Sequence, residues 1–381
     1  MKILNFSSHY EDCGIAKYQE NYVNELQSHE GIKSTFFKYS PYQTREMNEA
    51  EFNEVIDLLR KEITSYDIFH IQHEFGFYRG NQFERLVNTA KNAGIKTVVT
   101  YHTSPDLIII KKPLTGLGPR SLVNYVKSYR HNRILTNMHI APLLRSDIIL
   151  AHNEYTIGQL IAYGVPKESI LLIPHPTYPI TKPKKTTFIA ESLHKKEGDV
   201  ILSTVGYIHR FKGVTNAIKA LSYLPSNYKL AVLGGVKSDS NDHKLYDQIA
   251  DLILKRGLTD RVFISGVVDS DDDLNSYIRE TDISLYPYDS KYYKGVASGG
   301  LNLAIANERP VIAYPVATFK ETNTEISQLV FTRSDSYYEL AREIKNIDMA
   351  EQTKRIRQYA DANSWTNITT QLVSAYNSLL K

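Results

Sequence analysis

"YKGVASGGLNLAIANERPVIAYP", residues 293–315, carries the reading of the fold. A Gly–x–x–Ser–Gly–Gly run leads into an apolar helical pattern that begins near Leu301, and Pro310 then opens a short strand-like run. Those glycines admit a tight turn. They also let a ligand approach the backbone where the first-turn N–H groups of a helix lack partners, which is where an anion binds. Ser298, Gly299 and Gly300 form that entry, with Lys294 just upstream. A loop, a helix and a strand in this order form one unit of a sheet whose parallel strands are joined by helices.

Outward from this stretch the same unit recurs. In the second half the β-rich runs are "VILSTVG", "YKLAVLG", "RVFISG", "DISLYP", "PVIAYP" and "QLVFT". Helical patterns lie between them, with Ala217, Leu221 and Leu224 on one face and Leu245, Ile249, Leu252 and Ile253 on the next. The first half holds "KILNF", "KSTFF", "DIFHIQ", "IKTVVTY", "DIILA" and "ILLIP", and Tyr18, Tyr22, Val23 and Leu26 share a helical face between the first two. Near-continuous apolar strands alternating with helices mean parallel sheets covered on both sides. Two such series predict an α/β chain of two doubly wound, Rossmann-like domains facing across a cleft. The first is expected over 1–180 and the second over 190–360. The Pro-, Lys- and Thr-rich run "PTYPITKPKKTTFIAESLHKKEG" links them, and a last helix covers 366–381.

Composition sets outer bounds. A chain of 381 residues with 42% hydrophobic and 23% charged residues is long enough for two or three ordinary globular domains. The single cysteine, Cys13, has no internal partner and fits a reducing compartment. The first residues read as no secretory signal, and no apolar run reaches the ~18 residues of a membrane span. The formal charge of +3 hides an asymmetry. Between Asp106 and Asp147 there is no acidic residue, while Lys111, Lys112, Arg120, Lys127, Arg130, Arg133 and Arg145 supply +7 and leave −4 for the remainder. One basic segment on a slightly acidic protein points to a local anionic partner, not to nucleic acid.

Ligands of doubly wound sheets bind beyond the carboxyl ends of the strands. At these ends stand Gly14 in "SSHYEDCGIAKY", His73 and Glu74 in "HIQHEFGFYRG", His102 in "TYHTSPD", and Gly206, Arg210 and Lys212 in "STVGYIHRFKGV". His70 and His73 are three apart in a strand-like run, face opposite ways and make no metal pair. Gly14 lacks the Gly-x-Gly-x-x-Gly spacing of a nicotinamide enzyme. Arg210 and Lys212 before a helix, with Ser298–Gly300 before another, give two anion sites in one domain, which suits a diphosphate. The acids of "DSDDDL" precede a helix and read as its cap, not as metal ligands.

The ordered set "QHEFGFYRG", "VVTYHTS", "LLIPHP", "VGYIHRFKGV", "VASGGLNLAIANERPVIAYP" and the closing "WTNITTQLVSAYNSLL" resembles glycosyltransferase family 4, retaining enzymes of the GT-B fold, nearly end to end. The resemblance implies a nucleotide-diphosphate sugar donor (UDP- or GDP-linked), no metal and no further cofactor. It also implies a closing helix that returns to the first, acceptor-binding domain. Gly14 would face the donor diphosphate, His102 the donor sugar, Lys212 the diphosphate, and Val267 and Val268 the base. Two departures stand out. Tyr207 replaces the arginine expected after Gly206, and Gly295 and Leu303 replace two expected glutamates.

The expected function is transfer of a hexose, with retention, to a glycan, lipid-linked or protein-linked acceptor, in surface polysaccharide or glycoconjugate synthesis. Residues 107–133 would meet an anionic membrane surface, placing the protein in the cytoplasm, peripheral at the inner face of the membrane. A noncatalytic glycan-binding or partner subunit is the alternative. The phosphate-cradling residues weigh against it, because a protein without chemistry has no use for them.

Overall fold

The structure, a computed structural model, describes residues 1–9, 13–109, 118–178, 184–236, 243–291 and 298–381. Its described residues form two compact units. One comprises Met1–His175 with Trp365–Lys381, and the other Pro176–Lys294 with Ser298–Ser364.

The first unit holds a sheet of β1 (Lys2–Phe6), β2 (Lys33–Phe36), β3 (Ile68–His73), β4 (Lys96–Tyr101), β5 (Ile148–Ala151) and β6 (Ile170–Leu172) in the order β2-β1-β3-β4-β5-β6. Every pairing is parallel. Alternate side chains serve two cores, because successive residues of a strand point to opposite faces. Phe69, Ile71, Val99 and Tyr101 pack on Phe52, Leu59, Phe83 and Leu86. Ile68, Val98 and Leu150 pack on Tyr18, Tyr22, Leu26, Trp365, Leu372 and Tyr376. The closing helix Trp365–Leu379 therefore completes the core of this unit, its apolar residues returning to the helix Gly14–Gln27.

Local chemistry agrees with this packing. The helix Glu49–Ile63 opens with a capping box between Asn48 and Glu51, carries Glu49 and Glu51 in its first turn, and ends on Arg60 and Lys61. Phe52, Val55, Ile56, Leu59 and Ile63 recur at helical spacing and are buried. Each contributes about 1.5–3 kcal/mol by leaving water.

The second unit holds β7 (Val200–Val205), β8 (Tyr228–Leu233), β9 (Val262–Ile264), β10 (Ile283–Tyr286), β11 (Val311–Ala313) and β12 (Leu329–Phe331). Their order is β12-β11-β10-β7-β8-β9, again all parallel. The helices Val214–Leu221, His243–Lys255 and Tyr337–Asn346 supply Ala217, Leu221, Ile249, Leu340 and Ile344 to one face. Ile189, Leu193 and Ile278 cover the other. The chain reverses direction between β7 and β10, so the sheet has its topological switch point there. All twelve strands fall on the runs expected from the sequence.

Candidate functional site

The two helix starts singled out in the sequence flank that switch point. One follows β7. Gly206 has φ +102°, and a Cβ on it would come within 2.6 Å of the Lys212 ammonium. A side chain there would push the lysine aside, and the φ of +102° favours glycine in its own right. Arg210, Phe211 and Lys212 form a single 3-10 turn, and Gly213, left-handed at φ 69°, starts the helix Val214–Leu221. A Cβ on Gly213 would lie 1.9 Å from the carbonyl oxygen of Pro287, just past β10, so the two strand ends are drawn together. Burial pulls the Lys212 ammonium down to about 8. Among the described residues no carboxylate pairs with it, and Arg210 is exposed and likewise without an ion pair there. A desolvated cation with no counter-ion is held ready for an anion.

The other helix start follows β10. Ser298 caps the helix Gly299–Ala306 by accepting from the amide of Leu301 at 3.2 Å. A Cβ on Gly300 would sit 2.7 Å from the carbonyl oxygen of Val205, whereas one on Gly299 would meet only Tyr178 Oη, at 3.8 Å. Gly300 is therefore required by packing against β7, and Gly299 leaves the first turn open. Lys294 lies outside the described residues, as does Gly295. Leu303 packs its side chain against the apolar cluster under the helix.

Two tyrosines that sequence reasoning passed over hold this turn. Tyr286 donates to the carbonyl of Gly300 at 2.5 Å, and the Tyr288 hydroxyl lies 3.3 Å from Ser298 Oγ. Burial pushes Tyr288 up to about 12. The signal was "SLYPYD", in which two tyrosines two residues apart at a strand end face the same way. At the ends of β8 and β9, a Cβ on Gly235 would lie 2.7 Å from the Val267 amide, and Val267 stands 43% exposed beside half-buried Val268. Ser270 caps the helix Asp271–Arg279 by accepting from Asp273, with all three acids in its first turn, so that run serves as a cap.

The first unit gathers a different set. Gly14 opens its helix behind Cys13, whose Sγ accepts from the amide of Ala16, and a Cβ on Gly14 would meet nothing within 4 Å. His102 is half-buried at the end of β4, 2.7 Å from Gln72 Oε1. Glu74 caps the turn after β3 and accepts from Thr103 at 2.6 Å, with burial raising its carboxyl. His73 stands apart from them. It is wholly buried, stacked on Tyr101 and bonded to His139 at 3.1 Å, so it supports the strand edge from behind. His70 faces the opposite side, towards Tyr376 and Thr100. Among the described residues no group of three His, Cys, Asp or Glu is placed to hold a metal ion.

Fold and site together define an α/β protein of two Rossmann-like units, the second with a switch-point edge suited to an anion. Residues 185–362 match the family described as Glycosyl transferases group 1, and residues 16–177 match Glycosyltransferase Family 4. Between them these matches take in most of the sequence, and the chain belongs to this glycosyltransferase family. No curated protein matches it. Among solved structures it is similar to Anabaena HepE in complex with UDP, with a TM-score of 0.71, 13% identity and coverage of 99% of this chain and 100% of that one. The complex of HepE with UDP-glucose gives 0.68, 14%, 99% and 100%. Sucrose-phosphate synthase from Thermosynechococcus elongatus gives 0.67, 17%, 100% and 99%. At such identities the likeness speaks for the fold, which is GT-B.

Proposed function

We propose that the chain transfers a hexose, with retention of configuration, from a UDP- or GDP-linked sugar to a glycan, lipid-linked or protein-linked acceptor, in surface polysaccharide or glycoconjugate synthesis. The observation that carries this reading is Lys212: a desolvated ammonium with no carboxylate partner among the described residues, seated over Gly206 at the switch point. The UDP and UDP-glucose complexes of HepE support the choice of donor class.

In this reading the bond between the anomeric carbon and the diphosphate oxygen breaks first, leaving an oxocarbenium-like sugar. Arg210, Lys212 and the Ser298–Gly300 amides meet the charge that grows on the leaving diphosphate. One well-placed donor of this kind is worth ~3–4 kcal/mol in the transition state. The acceptor oxygen attacks from the face the diphosphate leaves, and its proton passes to a phosphate oxygen. Gly206 and Gly14 let backbone approach the donor, Val267 and Val268 take the base, and Lys294 adds charge. His102 attends the sugar. Glu74, with His73 behind it, serves the acceptor in the first unit. No metal enters the reaction.

The basic segment becomes a surface for an anionic membrane. Of the helix Pro119–His139, only the last residue, His139, is buried. Leu122, Val126 and Tyr129, at 52%, 40% and 59% exposure, form one stripe of it, among exposed Arg120, Lys127, Arg130 and Arg133. Apolar side chains in water beside an unbroken set of cations fit a cytoplasmic, peripheral protein at the inner leaflet. Lys111 and Lys112 lie outside the described residues. No helix among the described residues is long and apolar enough to cross a membrane.

The test is turnover with a panel of nucleotide sugars, followed by the anomeric configuration of the product. Inversion would remove the retaining mechanism. Binding of nucleotide without transfer to any acceptor would favour the noncatalytic alternative.

A further inference from the structure

Three neighbouring strands of the first sheet end on histidine. His102 follows β4, His152 follows β5, and His175 lies three residues past β6. The rings of His102 and His152 are 5.1 Å apart, and those of His152 and His175 5.5 Å. Tyr18, from the helix Gly14–Gln27, touches all three at 5.2 to 5.5 Å. Sequence reading singled out only His102 of these three. Only the sheet order made them neighbours.

What stands behind each ring sets its chemistry. The carbonyl oxygen of Gln72, 2.7 Å from His102 Nε2, can only accept, so Nε2 donates and Nδ1 carries the lone pair. Gln72 is itself held. Its amide nitrogen donates to His70 Nε2 at 3.2 Å, His70 Nδ1 lies 3.2 Å from the hydroxyl of Tyr376, and Tyr376 bonds Tyr22. A buried chain of hydrogen bonds thus runs from the closing helix through β3 to His102. His152 is fixed the other way round. Its Nδ1 donates to the carbonyl of Ile173 at 2.9 Å, and its Nε2 is a buried lone pair with no hydrogen-bond partner among the described residues. Burial lowers both imidazoles, His102 well below the usual range, so both rings stay neutral.

We infer that His102 and His152 form a hydroxyl-receiving site for a neutral sugar, with Gln72 and the Ile173 carbonyl fixing which nitrogen of each ring offers its electron pair. The inference rests on the transferase reading and goes beyond it by adding His152 and the positioning residue Gln72. Neutral rings that present lone pairs accept hydrogen bonds from hydroxyls. A phosphate or carboxylate, which brings only lone pairs of its own, is turned away. A polar atom left buried and unpaired costs free energy that a single sugar hydroxyl would recover.

The rings can be read directly by ¹⁵N NMR of the full chain with labelled histidine. At pH 7.5 His102 should be the Nε2–H tautomer and His152 the Nδ1–H tautomer. UDP-glucose or GDP-mannose, whichever supports turnover, should shift His152 Nε2, and the matching nucleoside diphosphate alone should not. His152→Phe should lower kcat/KM ~10-fold or more while leaving nucleoside diphosphate affinity within about twofold. His152→Gln, which keeps an acceptor, should recover part of the loss. Gln72→Leu should mix the tautomers of His102 and lower kcat with the same affinity retained.

The opposite tautomer on either ring overturns the inference whatever the activity. So does an equal shift of Nε2 with the nucleoside diphosphate alone, which would mean that water is its partner. Unchanged kcat/KM in His152→Phe also overturns it. Failure of the transferase reading looks different, because the wild type would then turn over no donor.

Discussion

The ammonium of Lys212 occupies the space beside Gly206 that any side chain there would claim, 2.6 Å from the position of its Cβ. The pair is a single device, in which the glycine's left-handed backbone and missing side chain seat a cation that burial has partly stripped of water. Lys212→Ala should lower turnover ~100-fold or more and weaken UDP or GDP binding. Gly206→Ala should weaken the same binding by pushing the ammonium aside and straining φ +102°. With Lys212 at about 8, nucleotide affinity should fall as pH rises through 8, because the anion binds the protonated amine. Calorimetric titration from pH 6.5 to 9 checks both, and wild-type affinity in Lys212→Ala would remove the lysine from the site.

Transfer should persist in excess EDTA. The carboxylates nearest in sequence to a diphosphate role, Asp271 to Asp273, are engaged at a helix start under the Ser270 cap. Loss of turnover on chelation, restored by magnesium or manganese, would reopen their role.

Vesicle flotation addresses the basic helix. Binding should require anionic lipid and fall as salt rises, since exposed charges are screened within ~10 Å at 0.1 M salt. Replacing Arg120, Lys127 and Arg130 with Ser should weaken recovery, and replacing Leu122, Val126 and Tyr129 with Ser should weaken it too. Neither set should disturb nucleotide binding. Equal recovery of all three proteins with anionic vesicles would end the membrane assignment and favour a soluble acceptor.

Buried histidines should make the first unit sensitive to acid. Burial lowers His70 to about 3 and His139 to about 4, below the unfolded value near 6.5. As pH falls past 6.5 the unfolded chain takes up protons that the folded one refuses, so stability declines until the folded values are reached. Each group then costs up to ~1.4 kcal/mol per pH unit. Denaturant melts from pH 7.5 to 4.5 should show a falling midpoint, with a shallower fall in His139→Gln. A flat profile would mean that these rings protonate inside the fold.

The sequence by itself determined the two sheets and where their strands run, because apolar runs of five or six residues between helical periods fit only covered parallel strands. It also placed the glycine–serine turn before residue 301 and the Lys212 loop, since both depend on residues adjacent in the chain. Tertiary structure decided which strand ends become neighbours. Sheet order brought β7 beside β10, so that two distant loops flank one switch point, and it set His152 beside His102. It also turned His73 inward, because alternation along β3 gives that residue to the core that holds Tyr101 and Phe83. The basic character of 107–133 could be seen in the sequence, but the exposure of the apolar stripe on Pro119–His139 depended on packing by residues far away in the chain. Such long-range pairings follow from the whole fold, and no local pattern encodes them.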